Sequence, residues 1–183
     1  MQQSEITCLT CVFLLALGDP NQAVFFGAMG IVSGLVFANM GAAYGTAKAG
    51  VGICSVCVLK PDLMFKSLIP VIMAGILGIY GLIVGVLLYI QVSSAFTPYT
   101  AESLNDPANW NYNYSKGYNQ LAAGLCCGLS CLASGLTIGV VGDAGVRANA
   151  QRNIYMAIIL MMIFAEALAL YGFITSVILA ASS

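Results

Sequence analysis

The 183-residue chain contains no histidine and little charge, since its 6 basic and 7 acidic residues make up only 7% of the sequence. Without histidine, histidine-based acid–base catalysis and histidine metal sites are excluded. Soluble domains carry about 25% charged residues, and a nucleic-acid-binding protein needs a basic surface, whereas the formal net charge here is -1. The shortage of charge therefore excludes a cytosolic globular enzyme, a disordered linker and a nucleic-acid-binding protein.

Long apolar runs dominate the chain, of which 60% is hydrophobic, with a mean hydropathy of +0.94. A helix needs about 20 apolar residues to cross about 30 Å of hydrocarbon, and four charge-poor runs reach that length. The fold class is therefore predicted to be an all-α membrane protein with four transmembrane helices. The four runs are residues 22–46, 68–94, 121–142 and 154–181.

A shorter apolar run, residues 6–17, precedes the first span and ends before Asp19 and Pro20. It is too short to span a bilayer as a helix. Residues 1–21 are expected to form a leader of uncertain order, with a processed segment and an extra helix as alternatives.

Two short patterns recur in the second half of the chain. Residues 79–81 resemble residues 170–172, and residues 48–51 resemble residues 143–146. Both halves start on the same side of the membrane, so the chain is predicted to be two tandem parallel hairpins. Parallel repeats favour a unit that stacks around an axis normal to the membrane. The expected domains are residues 22–94 and 121–183, joined by a lumenal loop of residues 95–120.

The distribution of basic residues predicts the orientation. Five of the six are expected in the two short loops that join the spans of each hairpin, and Lys116 lies on the other side. The positive-inside rule makes those two loops cytoplasmic and both termini lumenal. The five cytoplasmic basic residues are Lys48, Lys60, Lys66, Arg147 and Arg152.

Rows of glycine mark the first and third spans, whereas the fourth span contains only Gly172. Small residues four apart let helix backbones approach closely in lipid. The first and third spans are therefore predicted to pack tightly as an inner layer, and the fourth span to face outward. The packing residues predicted from this pattern are Gly30, Gly34, Gly124, Gly128, Gly135 and Gly139.

Glu166 is the single ionisable acid or base well inside any predicted span. A central acidic residue costs about 2.5–3.5 kcal/mol on insertion scales, and no span contains a lysine or arginine to pair with it. Such a carboxyl lowers its cost by staying protonated, so Glu166 is predicted to be a reversible proton carrier. Tyr80 and Tyr171 are the expected hydrogen-bond partners, with a packing role as the alternative for each.

Protons are favoured over sodium because a sodium site needs several oxygen ligands. The repeat places Gly75 opposite Glu166, and residues 70–78 contain no glutamine, asparagine, serine or threonine. Only Ser130 and Ser134 could contribute hydroxyl ligands. No cofactor beyond the transported proton is expected.

Two weaker motifs lie elsewhere. Cys8-x-x-Cys11 and Cys54-x-x-Cys57 resemble halves of a zinc site, but they are predicted to lie on opposite faces of the membrane, so no metal site is expected. Asn113 begins an N-glycosylation acceptor pattern on the predicted lumenal side, and its use is left open.

Four stretches then match a known family: residues 41–52 (GAAYGTAKAGVG), 70–75 (PVIMAG), 139–147 (GVVGDAGVR) and 163–166 (IFAE). Together they resemble the c-type proteolipid of eukaryotic vacuolar-type proton ATPases over residues 25–179. The acid in the last helix resembles the c type rather than the related c″ type.

The resemblance implies a rotor ring of identical or homologous proteolipid subunits in the membrane (Vo) sector. It implies that Glu166 binds the proton and meets a half-channel arginine on the stator, in its a-type subunit. Central-stalk subunits are expected on the cytoplasmic loops, membrane lipid around the ring, and a vacuolar or other endomembrane location, with the plasma membrane left open. No nucleic-acid partner is expected.

The chain also lacks the phosphate-binding pattern G-x-x-x-x-G-K-[ST], so it is expected to be a non-hydrolytic subunit rather than an enzyme on its own. The alternative hypothesis is a structural four-span membrane protein, such as a junction or fusion-pore component. In that case Glu166 only stabilises helix packing.

Overall fold

The computed structural model describes residues 20–95 and 114–182, and within them the chain is helical throughout apart from short connections. One 3-10 turn, Pro61–Leu63, precedes the short helix α2. The helices are α1 (Pro20–Cys57), α2 (Met64–Ser67), α3 (Ile69–Ala95), α4 (Tyr114–Gln151) and α5 (Tyr155–Ala181). The predicted leader up to residue 19, the loop centre at residues 96–113 and the motifs within them lie outside the described residues.

Four segments are long and apolar enough to cross a membrane, which confirms the predicted number of spans. They are Ala23–Cys57, Pro61–Ser93, Tyr114–Gln151 and Tyr155–Ala181. The described residues contain no strand. An all-α membrane protein follows, because in lipid every backbone polar group must be hydrogen-bonded within its own helix or a closed barrel.

The internal repeat is visible in the helix lengths. Helices α1 and α4 both have 38 residues, and helices α3 and α5 both have 27. Gly34 lies against Gly124, and Gly52 lies against Asp143, so α1 and α4 run in the same direction. The chain is thus two parallel hairpins, as the sequence predicts.

Helices α1 and α4 touch through their backbones. A Cβ atom added to Gly34 would lie 3.1 Å from the carbonyl oxygen of Gly124, and one added to Gly124 would overlap the carbonyl group of Gly30. Further along, a Cβ atom on Gly135 would overlap the backbone of Gly41. These positions require glycine because no side-chain atom fits between the two backbones.

The two other predicted packing glycines lie along the same contact. A Cβ atom on Gly128 would lie 2.9 Å from the carbonyl oxygen of Ser33, and one on Gly139 would lie 3.2 Å from the Cβ atom of Lys48. The six glycines therefore all lie between α1 and α4.

Helix α4 is the most buried of the four long helices, and it contacts α1, α3 and α5. Helices α1 and α5 lie on either side of the α3–α4 pair. The first and third spans pack tightly against each other, as predicted. On the single chain, however, α1 is as exposed as α5. Large apolar side chains on the free face of α1 include Phe25, Met29, Val32, Val36 and Met40.

Two helices extend beyond the predicted ends of the first and third spans. Helix α1 continues past Lys48 to Cys57, and α4 continues past Asp143 to Gln151. A charge ends the stretch that suits hydrocarbon, but it does not end a helix, which continues into water until a breaker such as Pro61 follows. Residues 114–120, predicted as lumenal loop, are the start of α4.

This extension corrects the predicted cytoplasmic loops. Lys48 and Arg147 lie on helices, and Lys66 lies on α2. Only Lys60 and Arg152 lie in the connections between helices. All five basic residues lie towards the end of the bundle where α1 and α4 end and α3 and α5 begin. This end is called the basic end below.

Candidate functional site

Glu166 lies near the middle of α5, on the side of the bundle where α5 packs against α3. Its side chain is half-buried, whereas its neighbours Ile163 and Phe164 are exposed on the apolar outer surface. It lies 11 residues after Tyr155, which is about 16 Å along the helix axis. The carboxyl is therefore deep within the apolar segment but at the edge of the packed core.

Tyr80 is the hydrogen-bond partner of this carboxyl. The Tyr80 hydroxyl donates to Glu166 Oε1 at 3.2 Å, from α3 to α5. The Tyr80 ring also packs against Phe173, with ring centroids 5.3 Å apart. Both alternatives considered for Tyr80, hydrogen bonding and packing, are thus present in one side chain.

Tyr171 does not pair with Glu166, which corrects the second expected partner. It is 65% exposed, and no hydrogen bond joins its hydroxyl to Glu166 in the described part of the chain. Five residues along a helix rotate the side chain by about 140°, so Tyr171 faces away from α3. Tyr80 and Tyr171 are equivalent in the repeat, but only Tyr80 faces the acid of the other half.

A second hydrogen bond holds the backbone beside Glu166. The fully buried Ser134 hydroxyl on α4 donates to the Ala165 carbonyl at 2.7 Å. The Ser130 hydroxyl donates to the carbonyl of Cys127 on its own helix, at 2.9 Å. Both serines, considered above as sodium ligands, therefore donate their hydroxyl hydrogens to backbone carbonyls. The bond of Ser134 holds α5 against α4 at the site.

No charged side chain pairs with Glu166 among residues 20–95 and 114–182. The one ion pair found there joins Arg147 Nε to Asp143 Oδ1 at 2.8 Å, four residues apart on α4. A neutral hydroxyl is thus the polar group that faces the carboxyl. The matching Gly75 on α3 is exposed, and a Cβ atom added to it would meet nothing within 4 Å.

Sequence reasoning did not identify Phe173 or the anchoring role of Ser134. Phe173 is one apolar residue among many on α5, and Ser134 is one of several hydroxyl residues on α4. Neither carries a signal in the sequence, because the contact of each depends on how α4 and α5 pack.

The remaining predicted residues lie far from the carboxyl. Lys60 Nζ donates to the Ala150 carbonyl at 2.8 Å, which joins the α1–α2 connection to the end of α4. Lys60, Lys66 and Arg152 line one groove at the basic end. Within the described ranges no three His, Cys, Asp or Glu side chains come together as a metal site.

The arrangement suits a carboxyl that exchanges one proton. A hydroxyl donor can serve both the protonated and the ionised carboxyl, and it adds no permanent positive charge. Among the described residues no cation forms an ion pair with this carboxyl, so no fixed charge neutralises it there.

The family model for the C subunits of ATP synthases matches residues 29–88 and 121–179, which are the two hairpins in turn. A V-type proton ATPase 16 kDa proteolipid of Caenorhabditis elegans, the second of its c-type subunits, is 50% identical over 161 residues, covering 87% of this chain and 92% of the relative.

Two further relatives are similar over the same extent. The V-type proton ATPase 16 kDa proteolipid subunit of Chrysotila carterae is 52% identical over 163 residues, covering 87% of this chain and 92% of the relative. The 16 kDa c-type proteolipid of the V-type proton ATPase of Rattus norvegicus is 48% identical over 162 residues, covering 88% and 94%. The chain therefore belongs to the family of ATP synthase C subunits and, within it, to the V-type proton ATPase 16 kDa proteolipid subunits.

Proposed function

We propose that this chain is a proton-conducting rotor-ring subunit of the membrane (Vo) sector of a V-type ATPase. The observation that carries the proposal is the Glu166 carboxyl, which lies mid-helix at the apolar surface and accepts a hydrogen bond from the Tyr80 hydroxyl. A neutral acid can travel through lipid, whereas an ionised carboxylate cannot. The family of the chain supports the same function.

The exposed faces of the single chain support assembly into a ring. Large apolar side chains are exposed on α1, as described above, and on α5, where they include Phe164 and Leu168. Identical or homologous proteolipid copies would cover part of these faces, and lipid would cover the rest. Because α1 and α4 run in parallel to each other, repeated copies would close around an axis normal to the membrane.

Each proton would move in one cycle of rotation. Glu166 travels protonated where hydrocarbon surrounds it. At the a-type subunit of the stator it meets an aqueous half-channel and an arginine, whose positive charge favours the carboxylate, so the proton leaves towards the lumen. The site then takes a new proton from the cytoplasmic side. Moving one charge against 100 mV costs about 2.3 kcal/mol, which ATP hydrolysed on other subunits would supply.

We infer the orientation from charge. The basic end carries five of the six lysine and arginine residues, so it would face the cytoplasm and contact the central stalk. Both termini would then be lumenal. The membrane would be that of a vacuole or another acidified endomembrane compartment.

Replacement of the carboxyl tests the function directly. In vesicles that carry the assembled complex, Glu166→Gln should leave assembly intact and abolish ATP-driven acidification, because an amide cannot release a proton at working pH. Tyr171→Phe, which removes an exposed hydroxyl from the same helix and leaves the carboxyl in place, is the control and should leave acidification unchanged.

The two variants also distinguish the rotor function from the structural alternative. If Glu166 only held helices together, Glu166→Gln would keep the hydrogen bond to Tyr80, and vesicles that contain it would still acidify. That result would overturn the rotor proposal.

A further inference from the structure

Two buried polar side chains at the basic end have no hydrogen-bond partner in the described part of the chain. Ser67 is 4% exposed and Asn149 is 8% exposed, and neither Ser67 Oγ nor Asn149 Oδ1 forms a hydrogen bond there. Buried polar groups in proteins are almost always paired with protein, water or a ligand. Ser67 Oγ and Asn149 Oδ1 therefore have unused hydrogen-bonding capacity.

Both side chains line one small cavity between the start of α3 and the end of α4. Its volume of about 10 Å³ suits a single water-sized group. Asn149 Oδ1 is an acceptor, so the group that fills the cavity must donate a hydrogen. The rest of the lining is largely apolar and includes Pro70, Ile158 and Met162.

A wider groove of about 470 Å³ adjoins this cavity, and Lys66 and Asn149 line both. Lys60, Lys66 and Arg152 line the groove, with Asp62 as the one acid among its lining residues. Three of the six basic residues of the chain therefore converge on one groove. Such a concentration of positive charge favours a phosphate group.

We propose that the groove and the cavity together bind the headgroup of an anionic phospholipid that carries hydroxyl groups, with phosphatidylinositol as its type. The phosphate would lie among Lys60, Lys66 and Arg152. One headgroup hydroxyl would enter the cavity, where it donates to Asn149 Oδ1 and hydrogen-bonds to Ser67 Oγ.

The order of the surfaces supports a lipid over a protein partner. The charged groove adjoins a small, largely apolar cavity with two polar atoms, at the start of the apolar helices α3 and α5. A charged group beside apolar segments is what an amphiphilic lipid presents at a membrane boundary. A protein that only covered the groove would leave the two buried atoms unpaired. Neither Glu166 nor Tyr80 lines the cavity or the groove.

The test uses the assembled membrane sector in nanodiscs of phosphatidylcholine with a minor fraction of phosphatidylinositol or phosphatidylserine, and counts retained lipids by native mass spectrometry. Phosphatidylserine has the same net charge but no headgroup hydroxyl, and its hydrogen donor is a charged ammonium, which is costly to bury in a largely apolar cavity beside Lys66. We expect more phosphatidylinositol than phosphatidylserine to be retained, and more of either than phosphatidylcholine.

Charge variants locate the phosphate. Lys66→Gln and Arg152→Gln should each weaken retention of phosphatidylinositol about fivefold. Lys116→Gln removes an exposed lysine at the other end of α4 and should not change the retention of phosphatidylinositol.

A cavity variant locates the headgroup hydroxyl. Asn149→Leu should remove the preference for phosphatidylinositol over phosphatidylserine while both stay preferred over phosphatidylcholine.

Four results would overturn the proposal. They are equal retention of phosphatidylinositol and phosphatidylcholine, retention that Lys66→Gln does not change, a density map with protein in the groove of every proteolipid copy, or a map with a single water in the cavity and no lipid in the groove. A complex that carries Glu166→Gln should retain lipid as the unaltered complex does, so failure here is distinct from failure of the proton-binding function.

Discussion

The Tyr80 hydroxyl donates a hydrogen bond of 3.2 Å to Glu166 Oε1, and this bond joins the two halves of the internal repeat. Tyr80 comes from the first hairpin and Glu166 from the second. The duplication thus leaves one acid well inside the spans, while the hairpin whose spans contain no such acid contributes the donor that faces it.

The first prediction separates the two repeat-equivalent tyrosines. A hydrogen bond to a charged acceptor contributes about 1.5–3 kcal/mol, more than one to a neutral acceptor, so Tyr80→Phe should favour the protonated form of Glu166. Proton release then becomes harder, and we expect ATP-driven acidification to slow severalfold. Tyr171→Phe is the matched control and should pump at the original rate. Equal effects of the two variants would contradict the pairing.

The second prediction concerns chemical labelling. A hydrophobic carbodiimide reacts with protonated carboxyls in an apolar environment, so it should modify Glu166 and spare Asp62 and Asp143. Labelling should weaken as the pH rises and the carboxyl ionises, and it should vanish in Glu166→Gln. The modified residue can be identified by peptide mass spectrometry. Labelling that spreads over the other acids would show that Glu166 has no special protonation state.

The third prediction tests the backbone contact of α1 and α4. A Cβ atom on Gly124 would overlap the Gly30 carbonyl group, so Gly124→Ala should destabilise the chain by about 1–3 kcal/mol through overpacking. Gly50→Ala is the control, because a Cβ atom there meets nothing within 4 Å. Thermal unfolding of the detergent-solubilised protein would measure both. A stability of Gly124→Ala equal to that of Gly50→Ala would show that the two backbones are farther apart.

The fourth prediction tests the orientation. Cys54 is exposed on α1, towards the basic end. If that end is cytoplasmic, a membrane-impermeant maleimide should label Cys54 in sealed vesicles only when their cytoplasmic face is outward. The assay requires Cys8, Cys11 and the partly buried Cys57 and Cys126 to be replaced by serine, and the buried Cys127 and Cys131 serve as internal controls that stay unlabelled. Labelling of Cys54 from the lumenal face would show that the topology is the reverse of the one expected.

Hydropathy was sufficient to predict the spans because bilayer thickness sets their minimum length. It could not predict that α1 reaches Cys57 or that α4 begins at Tyr114 and ends at Gln151. Outside the bilayer a helix no longer depends on apolar side chains, so the loss of hydrophobicity marks the edge of the membrane and not the end of the helix.

The candidate site shows the same division. Glu166 could be identified from sequence because an acid inside an apolar run is costly and therefore conspicuous. Tyr80 and Tyr171 could not be distinguished, since the repeat gives them equivalent positions. Ser134 was noticed only as a possible hydroxyl ligand, and its bond to the Ala165 carbonyl could not be predicted because it exists only where α4 packs on α5.

The sequence by itself determined that the chain belongs in a membrane, that it crosses four times as two hairpins, and that one acid lies inside the spans, because burial of charge and bilayer thickness act on composition and run length alone. The tertiary structure decided which tyrosine faces that acid, which helix holds it in place, and which polar groups are left unpaired at the basic end. Those outcomes depend on rotation and register between helices, which close packing of particular side chains sets and which no single helix encodes.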